Sequence, residues 1–86
     1  MSKYMRSNFV NSRVIQNKYF IATYAQGFEL NEVAKKIWEL LDHPTTIEEI
    51  VNKIAEEFDG NSDIVREDVE EFIENLINNE LIEKIS

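Results

Sequence analysis

The sequence of 86 residues has no cysteine, one histidine and two glycines, and each shortage excludes a class of structure or chemistry. Without cysteine, neither a disulfide framework nor a thiolate metal site can form. Because His43 is the single histidine, the usual nucleophile–base pairs and zinc ligand sets cannot be assembled either. The two glycines are isolated and form no phosphate-binding loop. We therefore expect no enzymatic activity and no cofactor.

Long apolar runs are also missing. No stretch approaches the roughly 20 apolar residues that a membrane span needs, and residues 1–13 lack the apolar segment of a signal peptide. The length suits one domain, and 43% apolar residues suffice for a folded core. We expect a cytoplasmic protein without a membrane partner. It should comprise a flexible N-terminal arm over residues 1–8 and a single domain over residues 9–86.

The charge is unevenly distributed along the chain. Residues 1–28 contain four basic residues and no acidic one, whereas residues 29–86 contain five basic and all 17 acidic residues, a net charge of −12. Acidic side chains on helix faces favour solubility, and they also attract a basic partner. Nucleic-acid binding is disfavoured, because it depends on neutralising phosphates.

Three short strands are predicted in the first third of the chain. Residues 13–16 and 19–24 are rich in β-branched and aromatic side chains, and Asn17-Lys18 is a plausible turn between them. Residues 28–30 alternate apolar, polar and apolar, as in a half-buried strand.

Three amphipathic helices are predicted to follow the strands. Asn31 caps the first, which ends before Pro44; Thr46 and Glu49 form a capping box for the second; and Ser62 caps a third that runs to about residue 79. Their apolar stripes are Val33, Ala34, Ile37, Trp38, Leu40 and Leu41; Ile47, Ile50, Val51, Ile54, Ala55 and Phe58; and Val65, Val69, Phe72, Ile73, Leu76 and Ile77. The pattern predicts an α+β, winged helix-turn-helix-like fold in which a three-stranded antiparallel sheet precedes three helices that cover it.

One segment has part of the spacing of a calcium-binding loop. Asp59, Asn61, Asp63 and Glu70 fall at ligand positions of an EF-hand register, but Ile64 occupies the position that requires glycine. Helix capping explains the same polar residues without a metal. We expect no metal site.

Six motifs follow one another within residues 13–86. They are Leu30-Asn31-Glu32-Val33-Ala34, Ile37-Trp38-Glu39-Leu40-Leu41-Asp42, Thr46-Ile47-Glu48-Glu49-Ile50-Val51, Phe58-Asp59, Asp68-Val69-Glu70-Glu71-Phe72-Ile73 and Glu80-Leu81-Ile82. The ordered set resembles the PqqD-like family, and among its stand-alone members those of lasso-peptide pathways are slightly more similar. Two departures are His43, where the family has glycine, and Thr23-Tyr24, where an aspartate often ends the strand.

The resemblance implies a function and a site. Members of this family bind the leader of a ribosomally made precursor peptide as an extra strand on the edge of the third strand, beside the third helix. In this sequence the edge corresponds to Gln26, Gly27, Phe28, Glu29 and Leu30, and the groove wall to Ile64, Asp68, Glu71, Phe72 and Asn75. Phe72 and Ile64 would form pocket walls, and Asp68 and Glu71 would meet basic or backbone donors of the leader.

The implied partners are the precursor leader peptide and a peptide-modifying enzyme or leader peptidase. A free strand edge also allows a homodimer. Two alternatives use the same elements: a small scaffold or regulatory protein that binds a folded partner, and a winged-helix DNA-binding protein. The DNA-binding alternative is disfavoured because the predicted third helix carries six acidic residues and only one arginine.

Overall fold

The computed structural model describes residues 2–58 and 60–85. The elements follow the order β1 (Lys3–Arg6), β2 (Asn11–Ile15), β3 (Lys18–Ala22), β4 (Gly27–Leu30), α1 (Glu32–Leu40), β5 (Thr45–Thr46), α2 (Ile47–Phe58), α3 (Ser62–Asn78) and β6 (Ile82–Lys84). Within the described ranges, none of the helices has the length and apolar character required to cross a membrane. The segment with part of the spacing of a calcium-binding loop includes Asp59, which lies outside these ranges.

Strands β2, β3 and β4 form the predicted antiparallel meander, in that spatial order. The turn between β2 and β3 lies one residue earlier than predicted, at Gln16 and Asn17, whose φ angles are 50° and 67°. Positive φ at both central residues matches the twist of two-residue hairpins, which explains why the turn uses this pair. The meander confirms the three predicted strands.

A second small sheet, in the order β5-β1-β6, was not predicted. Strand β1 pairs antiparallel with both neighbours, and the adjoining Ser7 is buried. The Ser7 backbone N–H donates to the Leu81 carbonyl at 3.0 Å, and its hydroxyl donates to the Glu80 carbonyl at 3.2 Å. The prediction of a flexible arm over residues 1–8 is therefore wrong for this strand and for Ser7. Its partners lie in the middle and at the end of the chain, so no local pattern indicated the pairing.

Local capping explains where the helices begin. The Asn31 side chain accepts a hydrogen bond from the Ala34 N–H at 2.8 Å, as predicted. The capping box is also present, with the Glu49 N–H donating to the Thr46 hydroxyl at 3.1 Å and the Thr46 N–H donating to the Glu49 carboxylate at 3.3 Å. Helix α3 is capped by Asn61 instead of the predicted Ser62, because Asn61 has extended backbone geometry and its side chain accepts from the Asp63 N–H at 2.9 Å.

One hydrophobic core joins the meander to the three helices. Ile21 and Leu30 of the sheet pack with helix side chains, and Trp38 is only 1% exposed. The other buried apolar residues are Ile37, Leu41, Ile50, Val51, Ile54, Val69, Ile73, Leu76, Leu81 and Ile82. Phe58 and Ile77, which the helical stripes placed in the core, are each 40% exposed. The α+β class is confirmed, with two small sheets in place of the single predicted one.

Candidate functional site

Strand β4 lies at the open edge of the meander. Its one strand partner in the described part of the chain is β3, so the opposite side of β4 is unpaired. The N-terminal segment does not cover this edge, because β1 pairs with β5 and β6 in the other sheet. Of the five predicted edge residues, Gly27 to Leu30 form the strand, and Gln26 belongs to the preceding turn. Gly27 and Glu29 are exposed, Phe28 is half-buried and Leu30 is buried.

The hydrogen-bond alternation of the meander determines which backbone groups this edge offers. The Thr23 N–H donates to the Gln26 carbonyl at 2.8 Å, which makes this the hydrogen-bonded pair closest to the loop. Antiparallel pairs alternate along a ladder, so Phe28 and Leu30 bond to β3 whereas Gly27 and Glu29 direct their N–H and C=O groups outward. An added strand would therefore find two donors and two acceptors on β4.

A groove opens beside the end of β4, between α1 and α3. We call it the α1–α3 groove; its volume is about 260 Å³, and it is lined by Asn31, Val33, Ala34, Ile37, Asp68 and Phe72. Asn31 directly follows β4, so the groove adjoins the free edge. Phe28, Val33, Ala34 and Phe72 are partly buried and pack against the core. Each of these four side chains thus combines packing against the core with partial exposure beside the edge.

Only some of the residues predicted to form the groove wall line the α1–α3 groove. Asp68 and Phe72 both line the α1–α3 groove, whereas Ile64, Glu71 and Asn75 do not. These three lie on the same side of α3 by helical spacing and are exposed; the side chain of Ile64 is 62% exposed.

The sequence pattern did not predict the α1 wall of the groove. Val33 and Ala34 were assigned to the apolar stripe, but their contribution to a groove depends on how closely α3 packs against α1. Their position in the first helical turn after the edge strand is the sequence feature that could have indicated this role.

Charged side chains lie at both the groove and the edge. Asp68 lines the groove, whereas Glu29 and Glu32 line a separate depression together with Lys18 and Lys35. The single arginine of α3, Arg66, forms an ion pair with Glu48 of α2. Asp68 is therefore placed to attract a positively charged group of a partner in the groove, with a strength that depends on salt.

The single histidine lies beside a carboxylate at the surface. Its ring nitrogen Nδ1 lies 2.6 Å from the carboxylate of the neighbouring Asp42, and both side chains are exposed. The hydrogen bond from His43, assisted by its charge and that of Arg6, holds the pKa of Asp42 below its usual value. Among the residues that the structure describes, no group of three or more His, Cys, Asp or Glu side chains is placed to hold a metal ion.

The chain is similar to a known protein family in both sequence and structure. Residues 21–82 match the family model described as coenzyme PQQ synthesis protein D (PqqD). The chain is also similar to TbiB1, solved in complex with the TbiA(beta) leader peptide: sequence identity is 31%, 92% of this chain and 94% of that chain are covered, and the TM-score is 0.80. The chain therefore belongs to the PqqD family, which confirms the resemblance seen in its motifs.

A second solved structure supports the fold. It is the solution NMR structure of the PqqD truncation of Methylobacterium extorquens PqqCD, described as a functional and stand-alone RiPP recognition element, where RiPP denotes a ribosomally synthesised and post-translationally modified peptide. The identity is 19%, with 94% of this chain and 88% of that chain covered and a TM-score of 0.79. Comparison with curated protein sequences gives no significant match.

Proposed function

We propose that this chain binds the leader segment of a ribosomally synthesised precursor peptide and presents it to a peptide-modifying enzyme or leader peptidase. The leader adds as a strand to the free edge of β4, and its side chains enter the α1–α3 groove. The observation that carries this proposal is the adjacency of an unpaired strand edge and a partly apolar groove. The similarity to TbiB1, whose structure contains a leader peptide, supports it.

The energetics require both the edge and the groove. Four backbone hydrogen bonds contribute about 2–6 kcal/mol in total, at roughly 0.5–1.5 kcal/mol each. Association costs an estimated 4–15 kcal/mol. Two or three apolar leader side chains, each contributing roughly 1.5–3 kcal/mol on full burial, are therefore needed. Phe28, Val33 and Phe72 are the partly exposed side chains on which such anchors would pack.

The proposed role is non-catalytic: the chain positions the leader, and its partner performs the chemistry. A ribosomal precursor is made in the cytoplasm, so a cytoplasmic location belongs to the same proposal. The affiliation with lasso-peptide pathways stays a prediction, as do the individual contacts of Ile64, Asp68, Glu71 and Asn75. The strand edge binds the leader through backbone groups, which are the same in any peptide. Specificity for the leader sequence would therefore come from the side chains that line the groove.

Titration of the chain with the leader half of a candidate precursor peptide tests the proposal. We expect saturable binding with a dissociation constant of about 1 μM or tighter, which corresponds to about −8 kcal/mol. The core half of the same precursor, at matched concentration, is the control and should not saturate. Absence of saturation by the leader half at millimolar concentration would reject the proposed function.

A further inference from the structure

A second partly apolar surface lies next to β6. Phe9 and Ile77, with exposures of 55% and 40%, border a depression of about 330 Å³ together with Ser7, Glu80, Ile82 and Glu83. We call Phe9, Ile77, Glu80, Ile82 and Glu83 the β6 patch. The depression thus places two exposed apolar side chains beside two carboxylates, a combination that a partner with apolar and basic side chains could contact.

The β6 patch and the α1–α3 groove lie on opposite sides of α3. Ile77 follows Asp68 by nine residues, which is about two and a half helical turns. The two side chains therefore point in opposite directions from the helix axis, and each lines its own depression. A partner at the β6 patch would leave the groove accessible.

Strand β6 also offers unpaired backbone groups. It pairs with β1 alone among the described strands. The Ser7 N–H donates to the Leu81 carbonyl at 3.0 Å, and the Ile85 N–H donates to the Lys3 carbonyl at 2.7 Å. By the alternation of antiparallel pairs, Ile82 and Lys84 direct their backbone N–H and C=O groups away from β1. The patch thus combines a free edge with apolar side chains.

Glu80 closes the C-terminus of α3 at the border of the patch, where its N–H donates to the Ile77 carbonyl at 3.0 Å and the Leu81 N–H donates to the Leu76 carbonyl at 2.9 Å. The φ of 59° at Glu80 lies in the left-handed region, which glycine adopts freely and residues with a side chain disfavour. The hydroxyl of Ser7 donates to its carbonyl, which fixes the backbone there. The helix cap and the Ser7 hydrogen bond thus fix the position of Glu80 at the border of the depression.

We propose that the β6 patch is the docking surface for the enzyme that acts on the bound precursor. The partner presents an apolar side chain that packs between Phe9 and Ile77, flanked by lysine or arginine side chains that pair with Glu80 and Glu83. Charge complementarity with these two carboxylates indicates the basic rim of the partner. This inference rests on the proposed function, since it assigns the leader to one side of α3 and the enzyme to the other.

The test measures two affinities for each variant. One is for the purified peptide-modifying enzyme or leader peptidase that acts on the precursor, without leader; the other is for the leader peptide alone. Phe9→Ser should weaken enzyme binding about tenfold or more, as expected for a central apolar contact, and Glu83→Lys should weaken it about threefold or more. Both variants should bind the leader within about twofold of the unsubstituted chain. Phe58→Ala, which removes from α2 an aromatic side chain that is 40% exposed, is the control and should change neither affinity.

The outcomes separate this inference from the proposed function. Enzyme affinity that is unchanged by Phe9→Ser and Glu83→Lys would overturn the docking surface, as would an unsubstituted chain that binds leader but no enzyme. Self-association that these substitutions abolish would assign the patch to a second copy and would also overturn it. If the unsubstituted chain does not bind the leader peptide at all, the proposed function itself is rejected, which is a different result.

Discussion

The guanidinium group of Arg6 in β1 lies over the indole ring of Trp38 in α1, 5.2 Å from the ring centroid. Its Nε also donates a hydrogen bond to the Trp38 carbonyl at 2.9 Å. Helix α1 has no basic residue in its last turn, so Arg6 supplies from another element the positive charge that the helix C-terminus favours. The N-terminal strand thereby secures the end of the helix whose first turns form one wall of the groove.

Substitution of Arg6 should destabilise the fold. Arg6→Ala removes a charged hydrogen bond and a cation–π contact, and we expect the free energy of unfolding to fall by about 1–3 kcal/mol. Arg6→Lys keeps the charge but not the guanidinium geometry and should give an intermediate value. Urea denaturation measures the change. Lys3→Ala, on the exposed part of the same strand, is the control; a loss for Lys3→Ala as large as that for Arg6→Ala would contradict the account.

Phe72 should contribute to leader affinity through the groove. Phe72→Ala removes a half-buried apolar wall, so we expect leader affinity to fall about tenfold or more, equivalent to about 1.4 kcal/mol. Circular dichroism should show that the variant remains folded. Ile77→Ala, on the opposite side of α3, is the matched control and should leave leader affinity unchanged. Equal effects of the two substitutions would place the binding surface elsewhere.

A pair of proline substitutions in β4 distinguishes its two sides. Glu29→Pro removes an outward N–H, so we expect the fold to persist while leader affinity falls about five- to tenfold. Phe28→Pro removes an N–H that bonds to β3 and should instead destabilise the protein by about 3 kcal/mol. Calorimetric titration and urea denaturation measure the two effects, with Glu29→Ala separating the loss of charge. The reverse pattern would show that the assigned backbone directions are wrong.

The left-handed conformation of Glu80 predicts a stabilising substitution. Glu80→Gly relieves the unfavourable φ, and we expect a gain of up to about 1 kcal/mol in the free energy of unfolding, because the greater unfolded-state entropy of glycine offsets part of the relief. Asn79→Gly is the neighbouring control; with φ at −97° it has no such strain and should be destabilised. Thermal denaturation compares the two variants. A loss of stability for Glu80→Gly would mean that its side chain makes a compensating contact.

Elements specified by neighbouring residues were predictable from the sequence. The Asn31 cap and the Thr46–Glu49 box require only residues three positions apart, and both are present. Strand β1 was not predictable, because four residues carry little pattern and its partners are distant; the Ser7 hydroxyl reaches a carbonyl 73 positions away. The one-residue error at the Gln16-Asn17 turn has a similar origin, since pairing along the whole hairpin determines its register.

The candidate site was predictable in outline only. The family motifs correctly indicated that β4 would be an edge strand, and helical spacing indicated the side of α3 that carries Asp68 and Phe72. An amphipathic stripe does not reveal which of its members stay partly exposed. For that reason the roles of Val33 and Ala34 in the groove, and the exposure of Ile77, emerged only from the packing of the helices.

The most direct measurement of the central claim is amide hydrogen exchange by NMR at β4, with and without the leader peptide. The outward N–H groups of Gly27 and Glu29 should exchange rapidly in the free protein and become protected when the leader pairs with them. The N–H groups of Phe28 and Leu30, already bonded to β3, should be protected in both states and serve as internal references. Binding of the leader without new protection at Gly27 and Glu29 would contradict strand addition at this edge.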